Sequence, residues 1–331
     1  MPKTIVTRLA ALSAATALSL TLAGCGSGED AAQDGGSAAG YPVTLENCGA
    51  EVTFHRAPEK AVLLKSATVP YLSELGVLDV VTARAGAYPR PYYDDATWAE
   101  LEGIPTLSDD LDSSGHLQIS KEVVLAEQPD VVFGEADNLT RDTLGAVDIA
   151  LLEEPGLCPD PPADASFDDV SEQLRTYGRI FGVPDEAEAA AQRAEARVAE
   201  IVAGVAADED RTAAVLYPTV GGGTTYAYGT RSMAHPQLVA AGLTNVFADV
   251  DERVFEVTLE ELIGRNPDVL VLLHSDGDGA GVKDAITTMN GAQALAAVRD
   301  DQILVQLLNF SEPPSSLAVD GLERIVGHFA R

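Results

Sequence analysis

Thr258-Leu259-Glu260-Glu261-Leu262-Ile263-Gly264-Arg265-Asn266-Pro267-Asp268-Val269-Leu270-Val271 decides the fold, because an earlier stretch follows the same plan. That stretch is Ser120-Lys121-Glu122-Val123-Val124-Leu125-Ala126-Glu127-Gln128-Pro129-Asp130-Val131-Val132-Phe133, 138 positions upstream. Each copy opens on a hydroxyl residue, carries a glutamate two positions later and crosses a short amphipathic stretch. Each then passes through Pro-Asp into an apolar run. A hydroxyl followed by acidic residues is a helix start, proline a stop, and a short apolar run a buried strand. One helix-turn-strand unit is ordinary. Two at matched positions predict two lobes on one plan, with a cleft between them.

The flanking sequence keeps this rhythm. Tyr41 to Phe54 reads as a hairpin turning at Cys48-Gly49, and Ala61–Leu64, Val80–Ala83 and Ile149–Leu152 as short buried strands. Cys158 to Ala165 is a Pro- and Asp-rich loop. Val170, Leu174, Tyr177 and Phe181 then share one helical face, and a second, Ala-rich helix follows Gly182-Val183-Pro184. Ala213–Tyr217, Val269–Leu273 and Ile303–Leu307 are the strands of the second half. Strands alternating with helices argue for parallel sheets. The expected fold is α/β: two Rossmann-like lobes with parallel-rich sheets, joined by a single long rigid helix, the ligand cleft between them. The boundaries are a leader at 1–24, a tether at 25–40, lobes at 41–165 and 208–331, and a linking helical segment at 166–207.

The N-terminal residues form an address. Lys3 and Arg8 precede an apolar stretch, Leu9 to Leu22, shorter than the roughly 20 residues a spanning helix needs. Leu22-Ala23-Gly24-Cys25 resembles the lipobox of bacterial lipoproteins, which implies lipidation of Cys25. The stretch after it is Gly, Ser, Ala, Asp and Gln, the composition of a flexible tether. The expected location is extracytoplasmic, on a membrane. There, Cys48 and Cys158 are expected to form a disulfide, the alternative being two buried thiols. The 52 acidic residues against 21 basic ones give a net charge of −31, a surface that repels nucleic acid.

Glu122 and Glu260 fall in the first turns of their helices, where a carboxylate complements the helix dipole. Each helix start also lies at the C-terminal edge of its sheet, where open α/β sheets place their ligand crevice. The lipobox, the Tyr41-Pro-Val-Thr-Leu-Glu-Asn-Cys-Gly opening, the linking helix and the two Glu-x6-Pro-Asp units together resemble the substrate-binding proteins of ABC importers for iron-siderophores, cobalamin and haem. Thr225-Tyr226-Ala227-Tyr228-Gly229 through Phe247 is similar to the opening of that family's second lobe. The resemblance implies a monomeric binding protein, not an enzyme, that hands its ligand to a permease dimer coupled to a cytoplasmic ATPase. It also implies that Glu122 and Glu260 pair with permease arginines, with Glu74 and Glu261 as competitors.

Strand ends and the loops after them nominate the ligand contacts. They are Lys65, Tyr88, Arg90, Tyr92, Trp98 and His116 in the first lobe, and Tyr226, Tyr228, Arg231 and Arg253 in the second. Tyrosine pairs a flat apolar face with a hydroxyl, which suits a large amphipathic ligand, although Tyr88 to Trp98 also reads as a loop packed on its own rings. Arginine suits anionic ligand groups. The expected ligand is a ferric-siderophore, its iron held by the chelator rather than by protein side chains. Haem, with His116 and Tyr226 or Tyr228 as axial ligands, or a corrinoid, is the alternative. No Gly-x-Ser-x-Gly elbow, His-Glu-x-x-His or Gly-x-Gly-x-x-Gly supports an enzyme.

Overall fold

The computed structural model describes residues 40–112, 116–205, 211–275 and 277–329. The leader and Cys25 lie outside the described residues, as does the tether up to residue 39. The first lobe opens on a hairpin, β1 (Val43–Asn47) and β2 (Ala50–Phe54). Then come β3 (Ala61–Leu63), α1 (Val69–Glu74), β4 (Val81–Ala85), α2 (Asp95–Gly103) and β5 (Thr106–Ser108). The first repeat supplies α3 (Lys121–Ala126) and β6 (Val131–Phe133), followed by α4 (Arg141–Gly145) and β7 (Ala150–Leu152). The strands form one parallel sheet in the order β5-β4-β3-β6-β7. Successive residues alternate between its faces: Ala61 and Leu63 enter one core, Val62 and Leu64 the other.

The linking segment is two helices, α5 (Asp168–Phe181) and α6 (Pro184–Ala203). Gly182, in the left-handed conformation, caps α5, and Pro184 is the first residue of α6. The apolar stripe of α5 belongs to the first-lobe core, so α6 alone leads to the second lobe. Its first half lends Ala187, Ala190 and Ala191 to that core, while Arg197 farther along pairs with Asp320 and Glu323.

The second lobe runs β8 (Thr212–Pro218), β9 (Thr225–Tyr228), α7 (Ala234–Ala240), β10 (Thr244–Asn245) and β11 (Val254–Val257). The second repeat gives α8 (Leu259–Arg265) and β12 (Val269–His274). Then follow α9 (Val282–Thr287), α10 (Ala296–Arg299), β13 (Ile303–Leu307) and α11 (Ser316–Phe329). The sheet order is β11-β9-β8-β12-β13, with β10 beside the start of β8. β8, β10, β12 and β13 are parallel, while β9 is antiparallel to both β8 and β11.

The Pro-Asp step of the repeat does one job twice. The Asp130 carboxylate accepts from the backbone N–H groups of Glu59 (2.8 Å) and Lys60 (3.0 Å), just before β3. Asp268 accepts from the backbone N–H and the hydroxyl of Thr212, both at 2.9 Å, where β8 begins. In each lobe the aspartate therefore ties the entry of the repeat's strand to the entry of its parallel neighbour. Gln128 and Asn266, just before the prolines, both take positive φ (52° and 45°) and turn the chain from helix to strand. Thr258 caps α8 by accepting from the Glu261 N–H at 3.2 Å. Ser120 occupies the matching place but makes no side-chain cap, so the expected equivalence holds for position only.

The lobes share a core. Leu307, Phe310 and Leu317 of the second half are buried among first-lobe residues. The Tyr71 hydroxyl donates to the Pro314 carbonyl at 3.0 Å. Gly321 lets α11 close on the strap between β13 and α11: a Cβ there would lie 1.7 Å from the Phe310 carbonyl oxygen. Contacts of this kind make the two lobes, over the described residues, one body rather than two.

Cys48 and Cys158 are bridged, which ties the hairpin to the loop after β7. The bridge spans 110 positions, so replacing both cysteines by serine is expected to lower the unfolding free energy by roughly 3–5 kcal/mol. A lowered urea midpoint at unchanged secondary structure would show this. An unmoved midpoint would mean the bridge constrains the unfolded chain little.

Candidate functional site between the lobes

Parallel strands deliver their following residues to one edge. In the first lobe that edge carries Lys65 after β3, Glu135 after β6 and Glu153-Glu154 after β7. In the second it carries Thr219 after β8, Ser275 after β12 and Asn309 after β13.

A buried carboxylate in each lobe holds one cation. Glu153 pairs with the Lys65 ammonium and also accepts from the backbone N–H groups of Glu135 (3.1 Å) and Glu154 (2.9 Å). Its own backbone is clamped by Asn47, which donates to the Glu153 carbonyl and accepts from its N–H. Glu312, 1% exposed, accepts from the Ser232 hydroxyl (2.5 Å), the Met233 N–H (2.6 Å) and Arg253 (3.0 Å). Burial pushes the Glu312 carboxyl up, against the pull of the Arg253 charge. Such a carboxylate is tolerable only with its partners in place. The cations are thus held by what lies beneath them, and each arrives already neutralised.

A third basic group bridges the lobes. Arg231 pairs with Asp251 (3.1 Å) in its own lobe and with Asp160 (3.2 Å) in the disulfide-tethered loop of the first. Behind that loop a cavity of about 450 Å³ lies between β1, α5, Arg231 and Pro314. Its walls are the flank of α5, the hairpin, the end of β7 with the loop after it, and Arg231 from the second lobe.

The aromatic loop follows the second of its two readings and packs on its own rings. Tyr88, Tyr92 and Tyr93 are buried. The Tyr88 hydroxyl donates to the Ala85 carbonyl at 3.2 Å, and Arg84 lies over its ring. Tyr92 reaches the other lobe: its hydroxyl donates to Asn309 Oδ1 (3.1 Å) and accepts from the Asn309 N–H (2.9 Å). Its ring meets Phe310 edge to face at 5.2 Å. Tyr93 stacks on Trp98, and Arg90 lies 5.5 Å from the Trp98 centroid while pairing with Asp95. Packing of the loop on its own rings accounts for these contacts, and Tyr92 serves as a lobe-to-lobe contact.

In the second lobe Tyr228 is only 4% exposed, within the core under α7, which corrects its nomination as a ligand contact or iron ligand. Tyr226, on the same strand, is exposed beside Tyr217, whose hydroxyl lies 2.9 Å from that of Ser275. His116 stands exposed in the loop before α3, its Nδ1 3.7 Å from Asp112. Lys65, Arg90, Trp98, His116, Tyr226, Arg231 and Arg253 therefore remain at least partly open to a ligand.

Glu122 and Glu260 are the second residues of α3 and α8 and are exposed. Among the described residues neither has an ion-pair or hydrogen-bond partner. Of their competitors, Glu261 pairs with Arg265, and Glu74 ends its helix, at the opposite edge of the sheet.

Glu153, Glu154 and Glu312 were not nominated from sequence. The available signal was a Glu-Glu pair directly after a buried apolar run, and a glutamate set against Pro313-Pro314. Glu154 accepts from the hydroxyls of Thr68 and Tyr177, both at 2.8 Å, and its Oε2 has no partner. Burial pushes its carboxyl up to about 7 from 4.5, assisted by the Glu153 charge and opposed by the two hydroxyls. The folded chain then binds more protons than the unfolded chain between these values. This contribution to stability is complete below about 4.5 and is lost as pH rises through 7, up to about 3 kcal/mol in all. Glu154→Gln is expected to flatten that slope in urea melts at pH 5 and pH 8; an equal slope in both proteins would contradict the assignment.

Comparison with known proteins places this geometry. The sequence profile of the family described as "Periplasmic binding protein" matches residues 62–305. A solved structure from Saccharomonospora viridis, described as an ABC-type Fe3+-hydroxamate transport system, is 56% identical. The match covers 88% of this chain and 100% of that one, with a TM-score of 0.83. A periplasmic binding protein from Veillonella parvula is 20% identical over 87% of this chain and 97% of its own, with a TM-score of 0.72. A periplasmic haem-binding protein from Roseiflexus is 19% identical over 82% and 97%, with a TM-score of 0.62. At such identities the last two attest the fold alone. No curated protein sequence matches the chain.

Proposed function

The chain belongs to the periplasmic binding protein family, and from that premise we propose that it is a lipid-anchored receptor that captures ferric hydroxamate chelates and delivers them to an ABC importer. The observation that carries this reading is the 56% identity, over the whole length of its counterpart, to a protein described as part of an Fe3+-hydroxamate transport system. The family is one of binding proteins for transport, not of enzymes, and works outside the cytoplasm. Among the described residues no helix is long and apolar enough to cross a membrane. Attachment through a lipid on Cys25 would hold the receptor beside its permease.

The charge arrangement supports the substrate class. A hydroxamate is a monoanion that chelates through two oxygens, so three of them neutralise ferric iron. Three catecholates leave a strongly anionic complex. The Lys65 and Arg253 cations are already matched by Glu153 and Glu312, so the cleft carries little free positive charge for an anionic chelate. The net charge of −31 repels anions as they approach. Trp98, Tyr226, Lys65 and Arg253 are the side chains we assign to the rim of that chelate.

Glu122 and Glu260 serve as the docking carboxylates, one per lobe. They are exposed and unpaired at the ends of a body whose lobes share a core, so their separation is set before the permease is met. Ion pairs of this kind steer and orient docking. Glu122→Ala with Glu260→Ala is expected to lower uptake of ⁵⁵Fe-labelled ferric hydroxamate by cells more than about tenfold, while the purified variant keeps its affinity for the chelate. Wild-type uptake by the double variant would contradict the docking assignment.

A further inference from the structure

Glu153 and Glu154 follow β7 as consecutive residues, and each holds one end of the same short turn. Glu153 pairs with Lys65, and Glu154 accepts from the hydroxyl of Thr68 at the far end of the helical turn Ser66–Thr68. The Glu154 backbone N–H donates to Glu153 Oε1 at 2.9 Å, which ties the two residues together.

The second carboxylate differs from the first in what it lacks. Glu153 has a cation and two backbone N–H donors. Glu154 is 2% exposed, and the hydroxyls of Thr68 and Tyr177 both meet one oxygen, Oε1. Its Oε2 is buried and has no hydrogen-bond partner. Ionised, this group leaves part of its charge on a bare buried oxygen; a proton there removes the charge and keeps both hydroxyl bonds. Burial accordingly pushes the carboxyl up to about 7. The titratable neighbours are Glu153 on its own loop, Lys65 before the turn, Tyr71 on α1 and Tyr177 on α5. Burial raises both phenols far above their usual value, so they stay neutral while Glu154 titrates. Glu74 and Asp169 act on Tyr71 in turn.

A single proton therefore sets the charge beneath the first-lobe half of the cleft. With Glu154 neutral, Lys65 and Glu153 cancel. With Glu154 ionised, the three groups carry one negative charge. We propose that Glu154 is a proton-operated specificity residue: ionised, it turns the cleft against anionic iron chelates and toward those with a free ammonium group, and protonated, it removes its share of that bias. It acts through the Glu153–Lys65 pair rather than by touching the chelate, as a positioning residue does. This rests on the reading of the cleft as a chelate receptor with Lys65 at its rim. A buried charge reaches farther than an exposed one and is screened less by salt.

The test uses one linear ferric tris-hydroxamate in three forms that differ only at a terminal amine: free and cationic, acetylated and neutral, succinylated and anionic. Each is titrated into the purified protein at pH 6.0 and 8.5, with Trp98 quenching as the readout. The ratio of the anionic to the cationic dissociation constant is expected to be about tenfold larger at pH 8.5 than at pH 6.0. Glu154→Gln keeps an oxygen for both hydroxyls and carries no charge, so it should show the pH 6.0 ratio at both values. Calorimetry of the wild-type protein at pH 7, in buffers of different ionisation heat, needs no variant. There the anionic chelate should bind with net proton uptake and the cationic one with release. A wild-type ratio that moves less than twofold between the two pH values would overturn the inference, as would an unchanged pH dependence in folded Glu154→Gln protein. Binding of the neutral form in either case would leave the receptor reading intact. No binding of any of the three would remove both.

Discussion

Leu307, Phe310 and Leu317 come from the second half of the chain yet lie in the core of the first lobe. Separating the lobes would expose them and break the Tyr71–Pro314 and Tyr92–Asn309 hydrogen bonds. Apolar burial and paired polar groups of this kind make the joint a packed interior rather than a flexible linker. The helix α6 adds stiffness along the same side. Much else depends on this constraint. It sets the spacing of Glu122 and Glu260, the height of the cleft, and the distance over which Arg231 reaches Asp160. In the proposed receptor, motion about such a joint would be a small-angle closure, with the ligand supplying differential affinity for the closed form.

The cleft follows one electrostatic rule in both lobes. A carboxylate that water cannot reach is held by backbone N–H groups or a hydroxyl and in turn holds a cation. Glu153 does this for Lys65 and Glu312 for Arg253. The cations are fixed in direction and spent in charge. A receptor arranged this way selects by shape and by the neutrality of the bound complex, not by Coulomb attraction. In the proposed docking role, the exposed acidic charge would meet a basic partner. Glu122 and Glu260 stand exposed, with no ion-pair or hydrogen-bond partner among the described residues.

The features read most directly from sequence are those set by local chemistry. The repeat, the period-two strands, the apolar stripe of α5 and the break at Gly182 all depend on neighbours a few residues apart. Cys48 and Cys158 could be paired because they were the last two cysteines in an oxidising compartment. The site was less legible, because its contacts are long-range. Tyr92 finds Asn309 across 217 positions, and nothing beside Tyr92 announces that meeting. Tyr88 and Tyr228 read as surface aromatics at strand ends, but a residue of slack in a strand decides which side of the sheet a ring enters. Glu153 and Glu312 were hidden among 52 acidic residues, distinguished only by burial. Asp130 and Asp268 were visible as part of a repeat, while their role in joining strand entries needed the sheet order.

Trp98 is the sole tryptophan, stacked on Tyr93, which meets Tyr92 at the lobe junction. Its emission therefore reports on both the cleft rim and the joint. The most direct test is its quenching during titration of the purified protein with a ferric tris-hydroxamate, in parallel with a ferric tris-catecholate and haemin. Saturable quenching at submicromolar hydroxamate, with binding at least about a hundredfold weaker for the catecholate, is the predicted result. Tight catecholate or haemin binding, with none for the hydroxamate, would contradict a cleft built for a neutral iron chelate.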